Sequence, residues 1–167
     1  KIDILINNAG INKIDNFTSI KNEDWYSVNN INLTAPFLIA KNIAKKMENQ
    51  KHGHIVNIAS IFGVVSKKKR ASYSAAKSGL IGLSKAMALD LAKYNIMVNS
   101  VSPGFVMTDL TRSILSEKEI NKLIRSVPLE RFARIEEITD LIIFLCSKYN
   151  SYLTGQNIII DGGYTIK

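Results

Sequence analysis

The chain has 167 residues, 46% of them apolar and 22% charged, a balance that suits one soluble globular domain with a sizeable core. Its single cysteine, Cys146, excludes an internal disulfide framework, and its longest apolar stretch near the end, residues 141–146, is too short to cross a bilayer. The formal net charge of +8 rests on basic residues standing mostly singly among acidic and apolar ones, without the aromatic interleaving of a nucleic-acid platform, so neither a nucleic-acid nor a membrane partner is expected.

Residues 2–6 read as a short buried strand, followed by the turn Asn7-Asn8-Ala9-Gly10. Residues 23–50 carry a long helical pattern, with Trp25, Val28, Leu33, Phe37 and Ala40 at helical spacings and Pro36 predicted to bend it. Residues 54–59 form the next strand, bounded by Gly53 and by a turn over residues 60–63; His52 and His54 flank Gly53 and read as exposed loop histidines. Residues 72–94 predict a strong helix, lined by the small residues Ala75, Ala76, Gly79 and Gly82 that favour close packing. Residues 96–101 form a third strand, stopped by Pro103-Gly104. Helices follow over residues 116–126, where Ser116 and Glu119 fit a capping box, and over residues 135–147, whose apolar pattern puts Cys146 in the core. Residues 156–160 form a last strand, ended by Gly162-Gly163. No repeat or linker interrupts the chain, so residues 1–167 read as one domain.

Strands and helices thus alternate, and the strands are continuous Ile/Val-rich runs. Both features predict an α/β fold: a parallel sheet covered on both faces, three layers α/β/α, with right-handed crossovers. Ligands of such sheets sit beyond the carboxyl ends of the strands, here residues 7–10, Ser60 and residues 102–104.

Tyr73 and Lys77 stand four positions apart at the start of a helix, which puts them on one face with Cβ atoms about 5–6 Å apart. A phenol is a poor base at its ordinary pKa near 10. A cation roughly 4 Å away stabilises phenolate by about 4 kcal/mol at an effective dielectric of 20, enough to bring the phenol into the working range of a general acid–base. Ser60 ends the preceding strand and shares that side.

Together these residues resemble the classical short-chain dehydrogenase/reductase family. The matching motifs are Asn7-Asn8-Ala9-Gly10, Asn32 in Asn-Leu-Thr, Ser60, Tyr73-Ser-Ala-Ala-Lys77, Pro103-Gly104-Phe-Val-Met-Thr108, and Thr154-Gly155-Gln156 before Asp161-Gly162-Gly163, in family order over nearly the whole chain. Within the family the chain is most similar to bacterial 3-oxoacyl-carrier-protein reductases and to related sugar or polyol dehydrogenases. The resemblance implies the C-terminal part of a Rossmann-type doubly wound sheet. It also implies NAD(P)-dependent interconversion of a carbonyl and a secondary alcohol, with NAD or NADP as cofactor. Tyr73 would exchange the proton, Lys77 would lower its pKa and hold the nicotinamide ribose, Ser60 would orient the carbonyl, and Asn32 would kink its helix and hold a relay water. Asn8, Ala9 and Gly10 would line the ribose side, with Pro103, Gly104, Val106 and Thr108 at the nicotinamide. Read from the residues alone, Asn8 serves equally as a turn residue, Asn32 as a helix-surface amide and Thr108 as a helix N-cap. No metal site is expected.

The family normally opens with a glycine-rich turn that carries the pyrophosphate on a helix N-terminus. No such turn occurs here, and the chain starts Lys-Ile-Asp-Ile without Met. The reading is therefore a domain truncated on its N-terminal side, with an open apolar strand edge at residues 2–6, weak cofactor binding and little activity as isolated material. The absence of a leader pattern and the lone cysteine suggest a cytoplasmic protein.

The run Lys67-Lys68-Lys69-Arg70 lies near the rim of the expected site and would attract an anionic substrate, a carrier protein or a phosphorylated sugar. Lys51 stands where carrier-protein reductases resemble one another in presenting a basic contact; at the second such position this chain has Tyr94, beside Lys93. A homotetramer built by the two long helices follows from the family resemblance. A catalytically silent binding protein that kept the fold is the non-enzyme alternative, against which the intact Asn32, Ser60, Tyr73 and Lys77 argue.

Overall fold

The computed structural model describes residues 1–108, 111 and 116–167. Four strands, β1 (Ile4–Asn7), β2 (Gly53–Ile58), β3 (Ile96–Pro103) and β4 (Asn157–Ile160), form one sheet in the order β1-β2-β3-β4. Every neighbouring pair is parallel. Among the described residues five α-helices accompany them: α1 (Asn22–Asn29), α2 (Ala35–Gln50), α3 (Ala71–Leu91), α4 (Glu117–Ile124) and α5 (Ile135–Leu145).

Residue alternation along β2 divides the core in two. Ile55 faces Ala44 and Met47 of α2 and Ala88 and Leu91 of α3. Its neighbour Val56 faces the opposite layer, with Ile138 and Leu145 of α5. The sheet is therefore covered on both faces, as the continuous apolar strands predict. Cys146 caps α5, half-buried against the second layer.

Three local expectations are corrected. The pattern over residues 23–50 is not one α-helix: a π turn, Asn30–Thr34, separates α1 from α2. The amide of Ala35 donates to the Asn30 carbonyl five residues back, because the next residue, Pro36, has no N–H to offer Asn32 and its ring crowds that carbonyl. Trp25 and Phe37 of that pattern stay substantially exposed, whereas Val28 and Ala40 are buried. β1 is buried on one face only: Leu5 packs on the first core, while Ile4 and Ile6 are each 45% exposed. Finally, His54 is no loop residue. It lies in β2, paired with Ile4 and Met97, and is buried with its ring edge-on to His52. Gly53 admits this by leaving room for Met47, whose sulfur would stand 2.4 Å from a Cβ there.

The predicted capping box is present: Ser116 Oγ accepts from the Glu119 amide and Glu119 accepts from the Ser116 amide. Among the described residues no helix is long and apolar enough to cross a membrane.

Candidate active site

The carboxyl end of β2 leads through Ala59 into Ser60, whose extended backbone turns the chain into a tight 3-10 turn, Ile61–Gly63. Ser60 Oγ accepts from the Phe62 amide at 3.1 Å. The turn packs directly on α3. A Cβ on Gly63 would lie 2.9 Å from the carbonyl carbon of Lys77, and Ser78 Oγ donates to the Gly63 carbonyl at 2.8 Å. Backbone contact with α3 thereby seats Ser60 against the helix that carries Tyr73 and Lys77.

Lys77 is 4% exposed. Its Nζ donates to the Ile58 carbonyl at 2.7 Å and stands 5.7 Å from the centre of the Tyr73 ring. Burial brings its pKa down to about 8, since a low-dielectric setting disfavours the ammonium form. Burial also pushes the Tyr73 phenol upward, against weaker opposing effects from the Ser60 hydroxyl and the Arg70 guanidinium. In this state the groups that favour phenolate are thus Ser60 and Arg70, the latter a residue that sequence reasoning placed only in a charged rim.

Two adjoining cavities open at this end of the sheet. One, of about 420 Å³, is lined by Ser60, Phe62, Tyr73, Gly104 and Val106 together with Arg70. The other, of about 700 Å³, is lined by Asn8, Gly10, Tyr73 and Lys77, again with Arg70. Tyr73 and Arg70 stand on the boundary between them. Asn32 lies behind the second cavity, fully buried. Its Nδ2 donates to the carbonyls of Ile11 and Val28, and its Oδ1 is buried without a partner. A Cβ on Gly10 would stand 2.8 Å from that oxygen and 3.5 Å from Lys77 Nζ, so only glycine lets the turn approach both groups.

One lining residue of the first cavity, Gly104, is backed by the far end of the chain. Gly104 lies so close to the turn after β4 that a Cβ would be 2.8 Å from the Asp161 Cα. Asp161 accepts from the amides of Gly163 and Thr165. Burial opposes its ionisation, but these hydrogen bonds prevail and hold its carboxyl below the ordinary range. Gly162 and Gly163, at φ +65° and +88°, supply the left-handed backbone this turn requires. Phe105 stacks on Phe132 and meets Phe62 and Tyr164 edge-on, an aromatic wall that no spacing in the sequence announces.

The remaining expected residues fall around this centre. Pro103 ends β3 paired with Ile160. Val106 forms a parallel bridge with Ala133. Thr108 Oγ1 accepts from the Thr111 amide and contacts the Thr111 hydroxyl; whether it caps a helix falls on residues outside the described ones. Ala9 lies apart from both cavities, on a smaller one of about 160 Å³ over β1 with Ile6 and Pro36. Lys51 and Lys93 both stand over the Tyr94 ring, beside the amino ends of β2 and β3 and away from Ser60. Among the described residues no group of three or more His, Cys, Asp or Glu side chains forms a candidate metal site.

The family model described as enoyl-(acyl carrier protein) reductase matches residues 1–165. A curated relative, the 3-oxoacyl-(acyl-carrier-protein) reductase FabG of Aquifex aeolicus, is 44% identical over 162 residues, 97% of this chain and 65% of the relative. The chain thus spans about two thirds of the length of such relatives. Among solved structures, a 4-hydroxyisoleucine dehydrogenase mutant complexed with NADH and succinate is 40% identical with a TM-score of 0.94, covering 99% of this chain and 69% of the other. A gluconate 5-dehydrogenase from Burkholderia cenocepacia, in complex with NADP and tartrate, is 32% identical with a TM-score of 0.95, covering 99% and 66%.

Proposed function

This chain belongs to the short-chain dehydrogenase/reductase family, and from that premise we propose that the full-length protein interconverts a carbonyl and a secondary alcohol with NAD or NADP. The observation that carries the reading is the convergence of Ser60, Tyr73 and Lys77 on two joined cavities at the carboxyl ends of the strands.

The residues fit a nicotinamide nucleotide. Gly10 leaves open a cradle that a Cβ would fill, beside the Asn32 amide and the Lys77 ammonium. That ammonium carries three donor hydrogens, and its recorded bond to Ile58 uses one. Lys77 and the turn at Asn8, Ala9 and Gly10 would hold the ribose; Pro103, Gly104, Val106 and Thr108 would flank the nicotinamide. When bound, the cofactor supplies or accepts the hydride. Ser60 holds the substrate oxygen. Tyr73 delivers a proton to that oxygen as the carbonyl carbon gains hydride, or removes one in the reverse direction. Because burial raises the phenol above its ordinary value, Tyr73 carries its proton at neutral pH, the form that reduction consumes. Asn32 and Lys77 would resupply it, a role that the closeness of both groups to Gly10 supports.

For the substrate, the name of the curated relative supports a 3-oxoacyl group bound to a carrier protein. A second reading, a small hydroxy acid or polyol, is favoured by the cations Lys67 and Arg70 in the substrate-side wall and by the solved gluconate dehydrogenase. We also propose a cytoplasmic homotetramer, supported by the exposed Phe37, Leu38 and Ile39 of α2 and by the groove between α2 and α3. Gly82 on α3 has open space where a Cβ would stand, which leaves room for a copy to approach.

The test is Tyr73→Phe in the full-length protein, assayed by nicotinamide absorbance. Turnover should fall about 10²- to 10⁴-fold with an unchanged thermal midpoint. Activity retained within threefold would remove Tyr73 from the reaction and the proposal with it.

A further inference from the structure

Arg70 immediately precedes α3, three residues before Tyr73. It is half-buried, with its guanidinium over the Phe62 ring at 5.8 Å. Nη1 is shielded from solvent and has no hydrogen-bond partner, and among the described residues no carboxylate pairs with it. A half-buried cation with a shielded, unpaired N–H group carries a cost, and stacking on one ring returns only part of it. The side chain lines both cavities beside Tyr73. The substrate-side cavity also has Lys67 in its wall and, among the described residues, no Asp or Glu. Its other walls include the aromatic rings of Phe62, Phe105 and Phe132 with Ser60 and Tyr73.

We propose that Arg70 is a specificity-determining residue that binds a carboxylate on the substrate, a few atoms from the carbonyl held by Ser60 and Tyr73. A planar guanidinium fixed on an aromatic face presents its donors in the fork that a carboxylate matches bidentately. Ser60 and Tyr73 take the reacting oxygen, Arg70 takes the acid, and the aromatic wall takes the carbon chain between. The inference rests on the oxidoreductase reading and selects, within it, a small oxo acid or hydroxy acid over a neutral thioester.

The experiment compares 3-oxobutanoate with its methyl ester, which differ in charge and little in shape, on the full-length protein and on Arg70→Gln. The parent should prefer the acid. The variant should lose about 10- to 100-fold in kcat/KM on the acid, mostly through KM, and at least tenfold less on the ester, whose smaller loss reports the influence of Arg70 on the Tyr73 phenol. Arg70→Lys should recover part of the loss. Equal losses on acid and ester, or no loss on either, would overturn the assignment and leave the oxidoreductase reading intact. Should neither compound react, succinate binding by calorimetry decides the point: binding to the parent that Arg70→Gln weakens at least tenfold supports it, and unchanged or absent binding overturns it. The thermal midpoint of Arg70→Gln should not fall, since the substitution removes an unpaired charge.

Discussion

The two ends of the sheet use burial differently. At the amino ends of the strands, His54 is buried under packed side chains, and burial, then the neighbouring His52, lowers its pKa. At the carboxyl ends, Lys77 is shifted by burial in the same direction but stands beside a cavity of about 700 Å³. Glycines mirror the contrast. Gly53 leaves space for the flexible Met47 side chain, whereas Gly63 and Gly10 bring backbone up to Lys77 and Asn32. A perturbed group therefore marks a functional site only where packing also leaves room for a ligand.

The largest effect that sharpens this comparison is Lys77→Met. It should cost at least about 100-fold in turnover, yet leave the midpoint of unfolding at pH 7 unchanged or higher. Since the folded pKa is about 8 against a reference of 10.5, folding is penalised by the buried ammonium below pH 8. The penalty fades as pH rises toward 10.5. The advantage of the variant over the parent in thermal melts should shrink across that window; an advantage that grows there would break the argument.

Next come the glycines. Gly63→Ala should lose about 1–3 kcal/mol and turnover as well, because the Lys77 backbone cannot move aside. Gly53→Ala should lose about 1 kcal/mol, since Met47 can change rotamer, and should keep its turnover. Denaturant melts and steady-state rates on both variants separate the two ends; equal loss of turnover would erase the distinction.

The smallest effect is at His54. Its folded pKa lies below 6.5, so the unfolded chain takes up a proton first and stability falls as pH drops below about 6.5. His54→Gln should flatten that slope in melts between pH 5 and 7 and leave the turnover at pH 7 unchanged. A slope identical to the parent would assign the pH dependence elsewhere.

Much of this arrangement was legible in residue order. The Ile/Val runs marked the strands because parallel strands covered on both faces must be apolar throughout, and the Tyr73–Lys77 spacing marked a shared helix face. β3 continues to Pro103, past the predicted end at 101, because Ser102 and Pro103 find partners in Ile159 and Ile160, contacts no local pattern encodes. His54 escaped because His-Gly-His looks like a loop until Met47 is known to fill the space at Gly53. Arg70 was legible only as one of four rim cations, because a run of cations does not say which member turns inward. Only the fold reveals that Lys68 and Lys69 stay exposed while Arg70 turns onto Phe62.

The strand order offers one more consequence. Along the sheet, spatial sequence and synthetic sequence coincide, β1 to β4. Each strand emerging from a ribosome thus meets an edge already made, and three β-α-β units can accrete one by one without waiting for distant chain. One wall of the substrate cavity is the exception. Gly104 is made with β3, but the Asp161 turn that presses on it follows β4. Loss of that turn would leave β1 to β3 paired and Gly104 without its backing, so this part of the wall is completed only after β4 has joined the sheet.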